Sequence, residues 1–561
     1  MRSYDNVWDL YANSLKESGI NTLFGMVGDG IGLLEATAKI IGFKTYTFRD
    51  QRVAIAAAIG FSQESNKCVF VSCNPGPGLA NASMGILEAY SQCIPMIIIS
   101  NGVSRSLKNT GAFQEFNSVG FMSAITKFAY RVESYDMIKP ILQKACNIAI
   151  NGKPGPVYIE IPDDLIFTNY EGHISLDTKK YVYSPIIQDI KTIAKILSDA
   201  QKPLLIAGGG CMISSAKEEF TSITEILSAA AFTTASGRGS INETHNQSCG
   251  LIGLYTSLPS KILLNTSDVI FFIGSQIEET VLIGIKSLLE SKKIIQLNIC
   301  PEDIGKSIKA DYKLIGDAKE TLKLLIQEFK LLNKSNNEDW LREIQKVKNK
   351  QKFYLTDNIN FESNKVRFLF KLLKEKIPNG FTLVSDNGLN DMWPYFYPVH
   401  INGEHDKFFS PGEHTGLGLP IGVAVGVKIS NKERIVISVT GDGSFSFGRA
   451  ALFTAAEKKL GIIYIILNNK GFGWPALTQK SQNISIGCKF EKEDNLESLA
   501  KQLDAFYFSP SDLESLNKCI ESALTNSLNN NISIIELQIN VQDIPIGIKE
   551  NYLGEEVRHE L

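Results

Sequence analysis

Two short segments carry residues whose types and spacing could hold a cation and a phosphate together. Gly441-Asp442-Gly443-Ser444 sets a carboxylate between glycines, and Asn468-Asn469 follows, with Asn469 27 residues after Asp442. A carboxylate, an amide oxygen and a backbone carbonyl such as that of Gly471 are hard oxygen donors. Mg²⁺ takes such donors in octahedral array while keeping positions for diphosphate oxygens and water. Gly441 and Gly443 let the backbone approach phosphates, and a helix starting after the turn favours an anion. A lone Gly-Asp-Gly is a common turn; the elements around it give this one its meaning.

Arg434 to Val439 reads as a strand, Arg449 to Leu460 as a helix ending at Gly461, and Ile462 to Leu467 as the next strand. In such a βαβ unit Asp442 and Asn469 both stand past the carboxyl ends of parallel strands, where open α/β sheets bind ligands. Similar apolar runs, such as Pro95 to Ser100, Pro203 to Ala207 and Val269 to Gly274, alternate with helix-length amphipathic segments along the chain, which predicts the α/β class. The alternation relaxes over 169–189 and 331–360, and these read as linkers. They leave three segments, 1–170, 190–330 and 361–545, each suited to one doubly wound open parallel sheet. No internal repeat is evident at periods of roughly 20–50 residues.

Composition narrows the function classes. A chain of 561 residues, 44% hydrophobic and 21% charged, is that of a globular protein with several cores. A formal charge of −3 gives no broad basic field for nucleic acid, and the Lys-rich stretch Lys346 to Lys352, flanked by acids, reads as a solvated helix face. The nine cysteines include no Cys-x-x-Cys pair, which points to reduced thiols and a cytoplasmic location. Acids in the first ten residues do not suit a secretory signal, and no apolar run approaches the roughly 18 residues of a membrane span.

Taken together, the Gly-Asp-Gly and Asn-Asn pair resembles the thiamine diphosphate signature of the acetolactate synthase-like superfamily. The likeness continues at Pro75-Gly-Pro-Gly78 with Asn81, Gly111-Ala-Phe-Gln-Glu115, Ile125-Thr-Lys127 and Gly155 to Pro162. It extends through Ala207-Gly-Gly-Gly210, Gly237-Arg-Gly239, Gly274-Ser275, Pro301 to Lys306, and Gly416-Leu-Gly-Leu-Pro420. The resemblance implies a pyrimidine-binding domain, a central Rossmann-like domain and a diphosphate-binding domain. It further implies thiamine diphosphate contacts at Asn81, Thr415, Gly416, Leu417, Gly441, Gly443 and Ser444, and Mg²⁺ held by Asp442, Asn469 and the Gly471 carbonyl. Family members form the site between subunits, so a homodimer or homotetramer is implied.

The chain also departs from the family. Where most members carry a Glu that hydrogen-bonds the aminopyrimidine ring, ungapped register puts Gln51, in Arg49-Asp50-Gln51-Arg52. An amide can hydrogen-bond a ring nitrogen but brings no negative charge; the other candidate for this contact is Asp50. Thr415 stands where a large apolar residue is usual, and Leu389-Asn390 replaces Gln-His. Gly274-Ser-Gln-Ile-Glu-Glu-Thr280 lacks two family arginines, and Asn298 and Cys300 replace two acids, so FAD in the central domain is left as an open alternative.

Phe113 and Gln114 match positions that face the bound keto acid, and Lys127 matches one near the entrance. His414, in Pro411-Gly-Glu-His-Thr-Gly416, is a candidate acid or base. The other histidines, His173 and His245 among them, read as surface residues. The expected function is a carboligase that decarboxylates a 2-oxo acid such as pyruvate and transfers the two-carbon unit to an acceptor carbonyl. The alternatives are a simple decarboxylase or C–C lyase or hydrolase, and a cofactor-binding homologue with little catalysis because of Gln51.

Overall fold

A computed structural model describes residues 3–28, 32–172, 174–176, 179–332, 336–352 and 360–540, with 544, 545 and 548 beyond them. His173 lies outside the described residues, as do parts of both expected linkers and the last stretch before 545.

The apolar runs form three six-stranded parallel sheets, as the alternation predicted. The first comprises β1 (Thr22–Met26), β2 (Lys44–Phe48), β3 (Val69–Ser72), β4 (Met96–Gly102), β5 (Phe128–Arg131) and β6 (Pro156–Pro162), in spatial order 2-1-3-4-6-5. The central sheet comprises β7 (Pro203–Ala207), β8 (Ala230–Thr233), β9 (Ser248–Leu251), β10 (Val269–Ile273), β11 (Lys293–Asn298) and β12 (Tyr312–Ile315), in order 9-8-7-10-11-12. The last comprises β13 (Thr382–Ser385), β14 (Lys407–Phe409), β15 (Val436–Gly441), β16 (Ile462–Asn468), β17 (Phe506–Phe508) and β18 (Ser533–Gln538), in order 14-13-15-16-18-17. The first and third sheets thus share one strand order although no repeat is legible in the sequence. The central order is that of dinucleotide-binding folds. Strands β4, β6, β10, β15 and β16 are buried throughout, which is why they read as continuous apolar runs.

The first and third domains share one core. Helix α1 (Gln51–Ser65) lies against α2 (Pro77–Ser91) and crosses α3 (Leu419–Ser430), and all three bury small and branched apolar residues. Both long helices must be glycine-bearing at the crossing. A Cβ on Gly426 would lie 1.8 Å from the Ala57 carbonyl oxygen, and one on Gly60 2.0 Å from that of Val423. Arg49 reinforces the junction through an ion pair to Glu457 and by lying 5.0 Å from the Phe453 ring centroid. The central domain is tied to the third by Arg238, which is buried with Glu243 and donates to the carbonyls of Pro394 and His400.

Three sequence expectations differ from the structure here. The segment expected to link the second and third domains contains a helix, Glu338–Lys352, that buries Trp340, Ile344 and Val347 on the central sheet. Its Lys-rich turns are not wholly solvated, because Lys348 is buried and donates to the carbonyls of His245 and Ser248. A four-carbon stem can cross apolar surface and deliver its ammonium to backbone oxygens. His400 is likewise not a surface residue. It is buried among Phe370, Phe381 and Phe408, and burial together with Arg238 and Lys374 holds its pKa well below the usual histidine value.

Candidate cofactor and metal site

Asp442 and Asn469 meet as the βαβ reading predicted. β15 ends at Gly441, β16 ends at Asn468, and the two strands pair with Gly441 opposite Leu467. Asp442 Oδ1 accepts from the Asn469 amide at 3.4 Å, while Asp442 Oδ2 and Asn469 Oδ1 are both buried with no hydrogen-bond partner. Two orphaned buried oxygens of this kind carry a desolvation cost that a bound cation removes. Burial raises the Asp442 carboxyl to about 6, against the pull of backbone N–H groups at Asn469, Gly471 and Gly443. At Gly471 the backbone runs against Cys488, where a Cβ would stand 2.0 Å from the carbonyl oxygen. One carboxylate, one amide and a carbonyl suit Mg²⁺. Among the described residues there is no cluster of three or more His, Cys, Asp or Glu able to hold a metal.

The same sheet edge presents Ser444, whose hydroxyl donates to the Asn387 carbonyl at 3.4 Å. Gly441 lies against Asn390, where a Cβ would stand 2.8 Å from its Nδ2. Sequence reasoning missed Asp386 here. It follows β13 directly and accepts from Asn387 N at 2.8 Å, Thr440 Oγ1 at 2.9 Å and Gly418 N at 3.2 Å. Full burial raises it to about 7 in spite of those donors. An acid directly after an apolar strand was the available signal. Gly418, with φ of +75°, starts α3, so Asp386 fixes the end of the segment carrying Thr415, Gly416 and Leu417. Gly416 is buried, whereas His414 and Thr415 are exposed.

On the first domain's edge, Gln51 and Asp50 have different surroundings. Asp50 caps α1, accepting from the Arg52 amide at 2.8 Å, and its carboxylate also engages the Arg52 guanidinium and Asn81 Nδ2. Those partners lower its pKa against the effect of burial, and Asn81 itself is exposed at the start of α2. Gln51 is fully buried, donates from Nε2 to the Ser72 carbonyl at 3.3 Å, and leaves Oε1 without a partner. The bond to Ser72 sets which end of the amide is engaged and turns the free oxygen toward Gly78, whose Cβ position lies 3.9 Å away. Gln114, with φ of +62°, backs onto the same turn at Gly76.

Phe113 is 81% exposed. Lys127 is not free at an entrance. Its ammonium donates to the carbonyls of Ile148 and Asn151, and burial lowers its pKa. Between the domains lies a cleft of about 1700 Å³, lined in part by Gly209, Ser236, Gly274, Gln276, Glu278 and Asn298. The Asn298 amide is engaged at both ends, donating to the Ser275 carbonyl at 3.1 Å and accepting from Cys300 N at 3.0 Å.

Three family models match the chain in the order of its sheets. The N-terminal thiamine pyrophosphate enzyme domain matches residues 5–121, the central domain 190–325 and the C-terminal domain 386–536. The chain belongs to the thiamine pyrophosphate enzymes of the acetolactate synthase-like superfamily. It is 31% identical over 479 residues to an acetolactate synthase large subunit of Buchnera aphidicola subsp. Schizaphis graminum, covering 83% of this chain and 82% of the relative. It is 30% identical over 458 residues to a probable acetolactate synthase large subunit of Methanococcus aeolicus, covering 78% and 76%. With an Escherichia coli acetolactate synthase isozyme 3 large subunit the identity is 26% over 479 residues, covering 83% and 82%. Thiamine diphosphate is the cofactor these matches support, and the three-sheet α/β reading is borne out. No helix among the described residues is long and apolar enough to cross a membrane.

Proposed function

We propose that the protein is a thiamine diphosphate- and Mg²⁺-dependent carboligase that takes pyruvate as donor and passes its two-carbon unit to the carbonyl of a second 2-oxo acid. The observation that carries this is the pair of buried, unpartnered oxygens of Asp442 and Asn469 at the carboxyl edge of a parallel sheet, in a chain similar to acetolactate synthase large subunits over most of its length. When bound, the cofactor supplies the electron sink that lets the bond between the carboxylate and the carbonyl carbon of a 2-oxo acid break.

Asp442, Asn469 and the Gly471 carbonyl would hold Mg²⁺, and Gly441 and Gly443 would let the diphosphate approach the backbone. Gln51 would meet the pyrimidine ring through its free Oε1, and the engagement of Asp50 with Arg52 and Asn81 supports Gln51 over Asp50 for that role. An amide oxygen accepts a ring N–H without supplying negative charge, so proton removal at this site relies on positioning more than in relatives with a carboxylate. His414, exposed on its loop, would exchange a proton with substrate. Exposure of Phe113, an apolar side chain on a motif expected to face the keto acid, supports a site completed by a second copy of the chain, in a homodimer or larger assembly. Nine free cysteines support a cytoplasmic location. FAD is not proposed, because Asn298 and Cys300 stand where the family resemblance puts two acids, and the Asn298 amide is already engaged at both ends.

Product analysis with pyruvate, thiamine diphosphate and Mg²⁺ tests the proposal. Coupled acetohydroxy acid is expected, whereas free acetaldehyde with no coupled product would refute it. Native mass spectrometry of the same sample reports cofactor, flavin and subunit count.

A further inference from the structure

The loop from Gly412 to Gly416 is held from another domain. Glu88, on α2 of the first domain, is only 2% exposed, and its carboxylate faces the third-domain loop. Oε1 accepts from the Gly412 amide and from Gln92 Nε2, the latter at 2.6 Å, and Oε2 accepts from the Gly416 amide at 3.3 Å. Two backbone N–H groups four residues apart thus converge on one carboxylate. Between them the chain turns back, with Thr415 N donating to the Gly412 carbonyl at 3.2 Å and Thr415 in the left-handed region at φ of +48°. Space at Gly412 is tight: a Cβ would meet Ser91 Oγ at 2.6 Å, Gln92 Cγ at 2.8 Å and Glu88 Oε1 at 2.9 Å, so a larger residue must shift these side chains.

We propose that Glu88 is a positioning residue of the cofactor site. It fixes the 412–416 loop so that Thr415, Gly416 and Leu417 are preorganised for the cofactor before it arrives. The inference rests on the reading of this site as the thiamine diphosphate site. Asp386 pins the far end of the same segment at Gly418, so the loop is clamped by two buried carboxylates from two domains. Charge-assisted bonds to backbone N–H groups are about twice as strong as neutral ones, and ordering a loop before binding removes an entropy cost from the binding step. Glu88 does this from the first domain of the same chain, so the helix that carries Asn81 also sets the loop.

The test uses the full-length protein and reads cofactor half-saturation, turnover and the melting midpoint of the cofactor-free form. Glu88→Gln keeps volume but turns an amide NH₂ toward a backbone N–H. It is expected to raise the thiamine diphosphate concentration for half-saturation roughly tenfold at saturating Mg²⁺. Saturating cofactor should restore most of the turnover, and the cofactor-free midpoint should move by no more than about 3 °C. Gly412→Ala perturbs the contact from the loop side and should shift half-saturation in the same direction. A purely structural role predicts the reverse: a lowered cofactor-free midpoint with half-saturation unchanged within about twofold in whichever of the two variants folds, and that result overturns the proposal. If the native protein takes up no thiamine diphosphate, the reading of the site itself falls, a failure visible without any variant.

Discussion

Gly426→Ala sets two effects of opposite sign against each other at the crossing of α1 and α3. Alanine is the better helix former by about 1 kcal/mol in a helix interior, so propensity alone predicts a stabilised protein. The new methyl, however, would lie 1.8 Å from the Ala57 carbonyl oxygen, 2.6 Å from its carbonyl carbon and 2.8 Å from Phe61 N. Every one of these is a backbone atom of α1, so no side-chain rotation relieves the contact. The helices must part by about 1.5 Å at that point, and overpacking of this kind costs roughly 3 kcal/mol. The clash wins, leaving a net loss of about 2 kcal/mol. The functional consequence is larger than the stability change. α1 begins at Gln51 and α3 begins just after Gly416 to Gly418, so parting the helices displaces both sets of candidate site residues that this chain contributes. Misplacement by about 1 Å can lower turnover roughly 10²-fold. Urea denaturation and steady-state turnover measure the two effects. Gly422→Ala provides an internal control, since its methyl would meet the Ala56 methyl at 2.7 Å, a side chain that Ala56→Gly removes. The double variant should therefore recover most of the loss, with no such rescue available at 426. A Gly426→Ala protein as stable and as active as the native one would refute the reasoning.

Other outcomes follow from single residues. Asp442→Ala or Asn469→Ala should weaken Mg²⁺-dependent uptake of thiamine diphosphate by roughly 100-fold or more, read by calorimetric titration, and retention of native affinity would remove both from the metal site. Gln51→Glu should accelerate exchange of the C2 proton of bound cofactor, followed by NMR in D₂O; an unchanged rate would show that Gln51 does not contact the pyrimidine ring. Burial, with Glu413 and Asp303 adding to it against Lys153, raises Glu278 from 4.5 to about 7. The folded state therefore keeps a proton that the unfolded chain releases, so this contribution is present below about pH 4.5 and is lost as pH rises to about 7. Glu278→Gln should flatten the decline over that window and stabilise the protein at pH 8 by on the order of 1 kcal/mol, measured as thermal midpoint against pH.

The sequence by itself determined the α/β class, the three sheets and the meeting of Asp442 with Asn469. All of these rest on local facts: strands buried on both faces are continuously apolar, and a strand, helix and strand of ordinary length bring the two strand ends side by side. Only the tertiary structure decided what depends on contacts distant in the chain. Gln51 and Asp50 are adjacent polar residues, and in the fold Asp50 meets Arg52 and Asn81 while Gln51 turns inward to Ser72. Lys127, read as an entrance residue, is engaged by carbonyls of a helix end that its own segment does not reveal. Lys348 and His400 are polar letters whose burial follows from surfaces folded over them from elsewhere. The grip of Glu88 on Gly412 and Gly416, 324 and 328 residues away, lay beyond any local pattern, because periodicity records which face of a helix is buried but not which distant backbone N–H groups will arrive there.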